Sequence, residues 1–262
     1  MKKLLLYSKK LKGGIFSLIY IMFIKYCKQH NIHLKDKEVS FYLKQYKHKF
    51  IIRTNTSDVL ILWALCLAGE YDIEWNEKFT PKLIVDAGAN VGFFSLIIAS
   101  YFPDAKIIAI EPDEKNYELL CKNVEDMKNV VPVLSGVWNA DVCLKVHSEN
   151  ESYGITVEES EDGEGIMAIG VNTLLKQYGL SGADDEIIDI FKMDIEGSEY
   201  PVFSKNYEKW ISRVKCYIIE VHEYFHKGCD ELINQRLVIE NGYHRKEHME
   251  DTIFYQDGVL KE

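Results

Sequence analysis

Between residue 82 and residue 241, short apolar runs alternate with segments in which apolar residues recur every three or four positions. Apolar, β-branched runs predict buried strands, and the wider spacing predicts helices. The predicted strands are 83–86, 107–111, 130–134, 188–193 and 214–221. The predicted helices are 92–101, 114–124, 172–178, a segment after Gly197, and 229–241. This alternation predicts an α/β fold with a doubly wound, mostly parallel sheet.

Two stretches depart from this alternation. Residues 140–171 contain two strand-like pieces around a Glu-, Ser- and Gly-rich loop at 148–165. Residues 243–249 and 252–255 alternate between polar and apolar side chains, as the two strands of a hairpin do. We therefore expect this C-terminal hairpin to add an antiparallel edge to the sheet.

The N-terminal third of the chain lacks the repeated strand–helix pattern. Residues 1–49 are interpreted as helix and lysine-rich connector, residues 50–53 as a short strand, and residues 59–67 as a buried helix. We accordingly divide the chain into a helical N-terminal extension or lid, residues 1–80, and a core domain, residues 81–262.

The first chemical motif follows the first core strand, where residues 86–92 read Asp-Ala-Gly-Ala-Asn-Val-Gly. Gly88 and Gly92 lack Cβ atoms, so the backbone can turn sharply and approach a ligand beside the next helix. A dinucleotide site needs a second glycine where this chain has Asn90. S-adenosylmethionine has no phosphate and does not need that glycine, and Asp86 suits its positive end. The motif favours S-adenosylmethionine; NAD and an ordinary tight turn are the alternatives.

A second acidic position stands at the tip of the next strand, where Glu111 is followed by Pro112. A carboxylate in this position accepts hydrogen bonds from both ribose hydroxyls of a nucleoside cofactor. The glycine loop and this acid are together more specific than either alone. We assign Glu111 and Pro112 to the cofactor site.

Charged residues alternate at the end of the predicted strand 188–193, where Lys192, Asp194 and Glu196 occupy every second position. Alternate residues share one face of a strand, and buried strands seldom accept unpaired charges. Ligands of such sheets bind at the carboxyl ends of the strands. These residues are therefore catalytic candidates; the alternative is a structural Lys–Asp pair followed by a helix cap.

The predicted strand 214–221 leads into His222, and residues 222–226 read H-E-x-x-H. That motif is typical of zinc hydrolases when both histidines lie on one helix. Here the first histidine directly ends an apolar strand, so we do not expect a continuous helix. His222 is a candidate for acid–base chemistry, and zinc hydrolysis is a lesser alternative.

Charge is distributed unevenly along the chain. The net charge is −10, yet residues 1–50 hold twelve lysines and only two acidic residues. The acidic remainder argues against a nucleic-acid substrate, since phosphate binding requires a basic face. Six cysteines are scattered without a C-x-x-C pair. This pattern predicts buried free thiols in a reducing compartment, and hence a cytoplasmic location.

Residues 13–24 form an uncharged, largely apolar run of twelve residues. A run of this length is too short to span a bilayer. Two interpretations stay open: a basic, apolar helix resting on the inner membrane face, or a helix packed on the core domain or on a second subunit. The run is apolar nearly all round, which favours the packed interpretation.

At these motifs the chain resembles the FkbM-type methyltransferases, a family of class I S-adenosylmethionine-dependent methyltransferases. The resemblance extends from about residue 50 to residue 255, so the first 49 residues fall outside it. The residues that carry it are Arg53, Ser57-Asp58, Gly69-Glu70-Tyr71, 86–92, Glu111-Pro112, 192–199 and Glu220-Val221-His222.

The resemblance implies a Rossmann-like, seven-stranded methyltransferase sheet with S-adenosyl-L-methionine as cofactor. It also implies cofactor contacts from Ser57, Asp58, Glu70 and Tyr71, which we expect to fold over the pocket; the alternative is a capped helix with an ordinary C-terminal turn. Ser135, directly after the third core strand, is added to this set. The implied reaction is O-methylation of a hydroxyl of a sugar in a glycan, glycolipid or natural product.

The candidate residues suit this reaction. A sulfonium methyl group is already activated, so the enzyme must align the acceptor hydroxyl and remove its proton. We assign the base to Asp194 first and to His222 second, with Lys192 keeping Asp194 ionised or stabilising the developing alkoxide. Alternatively, Asp194, Glu196 and His222 ligate a divalent cation that acidifies the hydroxyl.

Overall fold

The structure, a computed structural model, describes residues 2–148, 155–160, 163–181 and 186–261. The described strands are β1 (Glu38–Leu43), β2 (His48–Arg53), β3 (Leu83–Ala87), β4 (Lys106–Glu111), β5 (Val130–Leu134), β6 (Gly136–Trp138), β7 (Val142–Ser148), β8 (Ile155–Glu159), β9 (Ile166–Gly170), β10 (Ile190–Met193), β11 (Cys216–Glu220), β12 (His244–His248) and β13 (Asp251–Tyr255).

The described α-helices are α1 (Lys2–Lys10), α2 (Gly14–Gln29), α3 (Asp58–Ile61), α4 (Phe93–Tyr101), α5 (Glu114–Asn123), α6 (Val171–Tyr178), α7 (Glu199–Ser204) and α8 (Cys229–Asn234). Two of them continue as π-helix, α3 through Leu62–Ala68 and α8 through Gln235–Ile239. Short 3₁₀ turns at Tyr207–Lys209 and Ile211–Arg213 precede β11.

Seven of the described strands form the central sheet in the order β12-β13-β11-β10-β3-β4-β5. The neighbours from β11 to β5 are parallel, and β13 and β12 close one edge in antiparallel pairing. The predicted α/β fold with an antiparallel C-terminal hairpin is confirmed. β10 and β11 are shorter than predicted because Ile188 and Val214 make only an isolated bridge before regular pairing begins.

Each face of the sheet carries its own apolar core, because successive residues of a strand point to opposite faces. Ile84 and Ile107 face the core under α4, α5 and the N-terminal extension. Leu83 and Val85 face the core under α6, α7 and α8. Leu18 of α2 is fully buried in the first core, so the extension is an integral part of the fold.

The extension is not purely helical, and this corrects the interpretation of residues 1–49. Strand β1 lies where a lysine-rich connector was expected, and it pairs with β2 in an antiparallel hairpin. Phe41 and Leu43 are buried while Tyr42 between them is exposed. This two-residue period of burial is typical of a strand. The segment is flanked by lysines, which is why a connector was expected there.

The segment 140–171 also differs from its prediction. Strands β6 to β9 form a separate four-stranded sheet in the order β6-β9-β7-β8. Strand β8 lies inside the expected loop 148–165; residues 149–154 and 161–162 of that loop lie outside the described residues. The composition of the segment 148–165 is typical of a loop. Residues 155–159 nevertheless form β8 because they pair with β7, and strand formation depends on the partner strand.

One buried amide anchors the N-terminal hairpin to the core. Asn123, at the end of α5, accepts a hydrogen bond from the Ile51 N–H at 2.7 Å. It donates to the carbonyl oxygens of Ile51 at 3.1 Å and Val91 at 2.8 Å. Because Val91 belongs to the glycine loop after β3, Asn123 joins the extension directly to that loop.

Removal of this amide should destabilise the domain. We expect Asn123→Ala to lower the free energy of unfolding by about 2–3 kcal/mol, since three backbone groups lose their partner. Urea unfolding followed by circular dichroism measures the change. Asn129→Ala is the matched control, expected to cost about 1 kcal/mol, because Asn129 donates one hydrogen bond, to the Ala105 carbonyl at 2.8 Å. Equal losses in the two variants would contradict the anchoring role.

Candidate active site

The glycine loop between β3 and α4 has a backbone that depends on its residue types. Gly88, Asn90 and Gly92 all have left-handed φ values, of 73°, 49° and 86°. Glycine adopts this region without steric cost, and asparagine is the side chain that tolerates it best. The N–H groups of Gly88 and Ala89 donate to the Ile110 carbonyl of β4, at 3.1 and 2.8 Å. The loop is therefore held against the neighbouring strand.

The two glycines are also required by packing within the protein. A Cβ atom at Gly88 would overlap the carbonyl oxygen of Asp194, and one at Gly92 would press on the Leu120 side chain. The approach of a ligand was one expected reason for these glycines. The structure adds a second reason for Gly88: here the glycine loop lies directly against Asp194, the residue that follows β10.

Glu111 lies beside the loop, as predicted. It is 6% exposed, and its two oxygens accept the N–H groups of Asn90 at 2.8 Å and Asp113 at 3.0 Å. Burial raises the pKa of Glu111, while these backbone hydrogen bonds act in the opposite direction. Each carboxylate oxygen keeps a second lone pair, so Glu111 retains the capacity to accept from ribose hydroxyls.

The other residues assigned to this end of the sheet have structural contacts of their own. Pro112 is half-buried beside Glu111. The Ser135 hydroxyl donates to the carbonyl oxygens of Gly136 and Met167, at 2.9 and 3.1 Å, and its N–H donates to the Glu111 carbonyl. Ser135 thus secures the strand that follows β5, and its role toward the cofactor stays a prediction.

Asp86 lies beneath the loop and not on its surface. Its side chain has no exposed area, and Oδ2 accepts a hydrogen bond from the Ser95 hydroxyl at 2.6 Å. The other oxygen, Oδ1, has no hydrogen-bond partner but lies 3.6 Å from the Lys192 ammonium. Burial raises the pKa of Asp86, and Lys192 counteracts that rise. Asp86 therefore holds Lys192 and does not reach into the crevice.

Lys192 connects the glycine loop to the end of β10. Its Nζ donates to the Gly88 carbonyl at 2.8 Å and lies 3.5 Å from Asp194 Oδ2. Although burial acts to lower the pKa of Lys192, the carboxylates of Asp194 and Asp86 raise it above its usual range. The ammonium remains charged, and it fixes Asp194 and the glycine loop relative to each other.

Glu199 positions His222. Glu199 is fully buried at the start of α7, and its carboxylate accepts the N–H groups of Ile195 at 3.0 Å and Gly197 at 2.9 Å. His222 Nδ1 lies 2.9 Å from Glu199 Oε1. Because a carboxylate only accepts, Nδ1 carries the proton of this hydrogen bond. The other ring nitrogen, Nε2, is thereby directed toward Asp194.

Three carboxylates surround His222 Nε2 without hydrogen-bonding to it. The nearest oxygens of Asp194, Glu196 and Glu220 lie 3.8, 3.7 and 3.7 Å away. Burial alone would lower the pKa of His222, but the hydrogen bond and charge of Glu199, followed by Asp194, raise it to about 9. Glu196 is largely exposed at the rim, where it has a left-handed φ of 51°.

The crevice contains more carboxylates than cations. Burial followed by the charge of Asp194 raises the pKa of Glu220 to about 7. Burial raises that of Asp251 to about 8, against the attraction of Lys192. Neither oxygen of Asp251 has a hydrogen-bond partner, although the residue is only 2% exposed. Such a site favours a cationic ligand, because buried carboxylates resist ionisation without a counter-charge.

The residues expected to cover the pocket separate into two pairs. Glu70 and Tyr71 lie at the crevice: burial, followed by Glu250 and Asp194, raises the pKa of Glu70 to about 7, and Tyr71 packs edge-on against Phe94 at 4.7 Å. The cofactor role of this pair stays a prediction.

Ser57 and Asp58 have different surroundings. Asp58 is buried in a two-pronged ion pair with Arg53, at 2.9 and 2.8 Å, and Arg53 also binds Asn116 of α5 at 2.7 Å. Ser57 is exposed and caps no helix N–H with its side chain. Asp58 holds Arg53 of β2 where it contacts α5, and the predicted contacts of Ser57 and Asp58 with the cofactor are untested.

Two residues of the crevice had no assigned role in the sequence analysis. Glu199 was noted only as part of a motif, although an acid two residues after Gly197 at a helix start is a recognisable signal. Asp251 lies opposite Glu220 in the β11–β13 register. That register is formed by residues distant in sequence, so no local pattern identifies Asp251.

The H-E-x-x-H stretch does not form a helix. Residues 222–226 lie in turns between β11 and α8. His222 binds Glu199, whereas the His226 ring stacks on Tyr200 at 5.3 Å. The two histidines therefore lack the shared helical face that a zinc hydrolase requires, and this alternative is not favoured.

Comparison with known proteins identifies relatives. Residues 86–245 match the Methyltransferase FkbM domain family. Methyltransferase sdnD of Sordaria araneosa is 29% identical over 184 residues, covering 58% of this chain and 70% of that protein. The methyltransferase FkbM structure from Methylobacillus flagellatus KT has 16% identity and a TM-score of 0.46, covering 91% of this chain and 59% of that one. The M. jannaschii TYW2 structure with AdoMet has 13% identity and a TM-score of 0.42, covering 85% and 87%.

The family match spans more than half of the chain and includes the glycine loop, Glu111, Lys192, Asp194 and His222. It agrees with the resemblance drawn from the motifs and favours neither a dinucleotide-dependent enzyme nor a zinc hydrolase. S-adenosyl-L-methionine is accordingly the cofactor expected at the glycine loop. The chain belongs to the FkbM family of methyltransferases.

Proposed function

We propose that this methyltransferase transfers the methyl group of S-adenosyl-L-methionine to a hydroxyl of a sugar in a glycan, glycolipid or natural product. In the transfer, the bond from carbon to sulfur breaks as the bond from carbon to the acceptor oxygen forms. The products are a methyl ether, S-adenosylhomocysteine and a proton. The sugar class of the acceptor rests on the family resemblance, and the removal of the proton rests on the geometry of the crevice.

The observation that carries the proposal is the chain of groups Asp194, His222 and Glu199 beside the glycine loop. An acceptor hydroxyl is a weak acid at neutral pH, so a base must take its proton as the new bond forms. Asp194 is partly exposed, with 30% of its side chain accessible, and Lys192 Nζ lies 3.5 Å from its Oδ2. Asp194 is therefore the first choice as base, and His222, oriented by Glu199, is the second.

The charge of the crevice also suits the cofactor. The carboxyl groups of Asp194, Glu196, Glu199, Glu220 and Glu70 outnumber the two cationic groups, Lys192 and His222. S-adenosyl-L-methionine carries a positive sulfonium centre, which such a site attracts, whereas its demethylated product is neutral at sulfur. This difference favours binding of the donor and release of the product.

A second route to deprotonation uses a divalent cation. One ligand atom each from Asp194, Glu220 and His222 lies within 4.8 Å of the others. This set replaces Glu196 of the sequence-based hypothesis with Glu220. The Glu199–His222 hydrogen bond resembles the carboxylate–histidine pairs that orient metal ligands. Two carboxylates and one imidazole suit Mn²⁺, and a bound cation lowers the pKa of a coordinated hydroxyl.

Asp194→Asn tests the assigned base. We expect methyl transfer to fall by a factor of about 100 or more, since general-base catalysis contributes at least that much. Affinity for S-adenosyl-L-methionine should remain within a few-fold of the wild type. A radiolabelled-methyl screen over glycans and glycolipids provides the acceptor, and calorimetry measures cofactor binding. Asp104→Asn, at an exposed position, is the control. Full turnover by Asp194→Asn would remove this residue from the mechanism.

Glu199→Gln tests the role of His222 through pH dependence. The charge of Glu199 helps to raise the pKa of His222 to about 9, so removing that charge should lower it. If His222 takes the proton, the rate rises with pH as the ring deprotonates, and the variant should show this rise at lower pH than the wild type. Thermal unfolding reports whether the buried site tolerates the change. An unshifted profile in a folded variant would leave Asp194 as the sole base.

Mn²⁺ binding distinguishes the two routes. If the cation route operates, the purified protein binds Mn²⁺ in calorimetry without any acceptor, and Glu220→Gln weakens binding by about tenfold or more. Glu118→Gln, an exposed carboxylate on α5, should bind as the wild type does. Methyl transfer should also stop in the presence of EDTA. Absence of Mn²⁺ binding together with EDTA-resistant turnover would establish deprotonation by side chains alone.

A further inference from the structure

Helix α2 has two apolar faces, and only one of them is used by the fold. Leu18, Ile21, Ile24 and Cys27 are buried, and the first three belong to the core on one face of the sheet. On the opposite face, large apolar side chains recur at the spacing of helical turns and are exposed. These exposed residues are Ile15, Phe16, Ile19, Met22, Phe23 and Tyr26. The helix was expected to be either packed or exposed at a membrane, and its structure allows both.

Helix α1 extends this exposed surface. Leu4, Leu5 and Leu6 are 38%, 60% and 56% exposed. Together with the six residues of α2 they form what we call the N-terminal apolar surface. In the part of the chain that the structure describes, nine of the nineteen exposed large apolar side chains belong to this surface. Such a concentration marks an interaction site, because single exposed apolar residues are normally scattered.

Exposed lysines lie next to the N-terminal apolar surface in the chain. Lys3, Lys9 and Lys12 on and between the two helices are exposed. Residues 1–50 contain twelve lysines and two acidic residues, in a chain whose net charge is −10. An apolar face with lysines beside it is the pattern of helices that rest on anionic lipid.

We propose that the N-terminal apolar surface docks on an anionic lipid membrane, with α2 lying in the plane of the interface. The Phe16 side of the helix enters the acyl boundary, and the lysines contact the lipid headgroups. Within the described residues, no helix is long and apolar enough to cross a bilayer. Self-association is less suited to this surface, since a two-fold interface would bring the lysines of two copies together.

The docking surface is physically connected to the crevice. The Tyr7 ring of α1 packs edge-on against Trp63 at 5.5 Å, and Lys10 Nζ donates to the Leu67 carbonyl at 3.1 Å. Both partners belong to the π-helical segment that ends at Gly69, directly before Glu70 and Tyr71 of the crevice. Resting on the proposed function, this connection favours lipid-linked sugars among the candidate acceptors.

Sedimentation with vesicles tests the docking directly. We expect the full-length protein to sediment with vesicles of equal parts phosphatidylcholine and phosphatidylserine, and not with pure phosphatidylcholine. The double variant Phe16→Ser/Phe23→Ser should bind the anionic vesicles about tenfold or more weakly, because two apolar anchors are lost. Lys9→Glu/Lys12→Glu should weaken binding similarly through charge. Ile239→Ser, which alters a 66% exposed residue elsewhere, is the control and should bind as the wild type does.

Surface substitutions are preferable to truncation of residues 1–49. Leu11, Leu18 and Ile21 are fully buried, so truncation would remove part of the core. Thermal unfolding and cofactor binding should be unchanged in the substituted proteins. Wild-type protein that stays in the supernatant, or variants that sediment as the wild type does, would overturn the proposal. So would a wild-type dimer in sedimentation velocity that the Phe16→Ser/Phe23→Ser change dissociates. None of these measurements requires an acceptor, so they are independent of the proposed function.

Discussion

The buried ammonium of Lys192 is the interaction on which the candidate active site depends. It is 3% exposed and lies among the Gly88 carbonyl, Asp86 and Asp194. A buried charge is tolerated only when it is compensated on several sides. Its partners belong to three segments: Gly88 to the glycine loop, Asp86 to β3 beneath that loop, and Asp194 to the end of β10. Lys192 thereby sets the separation between the glycine loop and Asp194, the residue proposed as base.

The carboxylates around this ammonium exceed what one cation can compensate. Glu70, Glu220 and Asp251 all have raised pKa values, first because of burial and then because of neighbouring charges. The crevice thus favours a cationic ligand. A sulfonium cofactor supplies such a charge, and so does a divalent cation. Against the effect of burial, the hydrogen bond and charge of Glu199, followed by Asp194, raise the pKa of His222 to about 9.

The N-terminal extension illustrates how one helix serves two environments. Residues 13–24 are apolar nearly all round, a pattern that fitted either packing or membrane contact. In the structure, one side of α2 completes the core above the sheet, and the other side is exposed beside lysines. Helical geometry separates the two sides completely. The burial of one face of α2 therefore does not indicate what the other face contacts.

The sequence alone determined the parallel core strands and the C-terminal hairpin, the glycine loop, Glu111 and the alternating charges of residues 192–196, because these are local patterns in the chain. Only the tertiary structure decided what those residues contact. It buried Asp86 beneath the loop, joined Asp58 to Arg53, and placed Glu199 behind His222 and Asp251 near Lys192. It also formed β1 and β8, which depend on partner strands. Pairings between distant residues have no local period, so their consequences for charge and hydrogen bonding emerge only when the chain is folded.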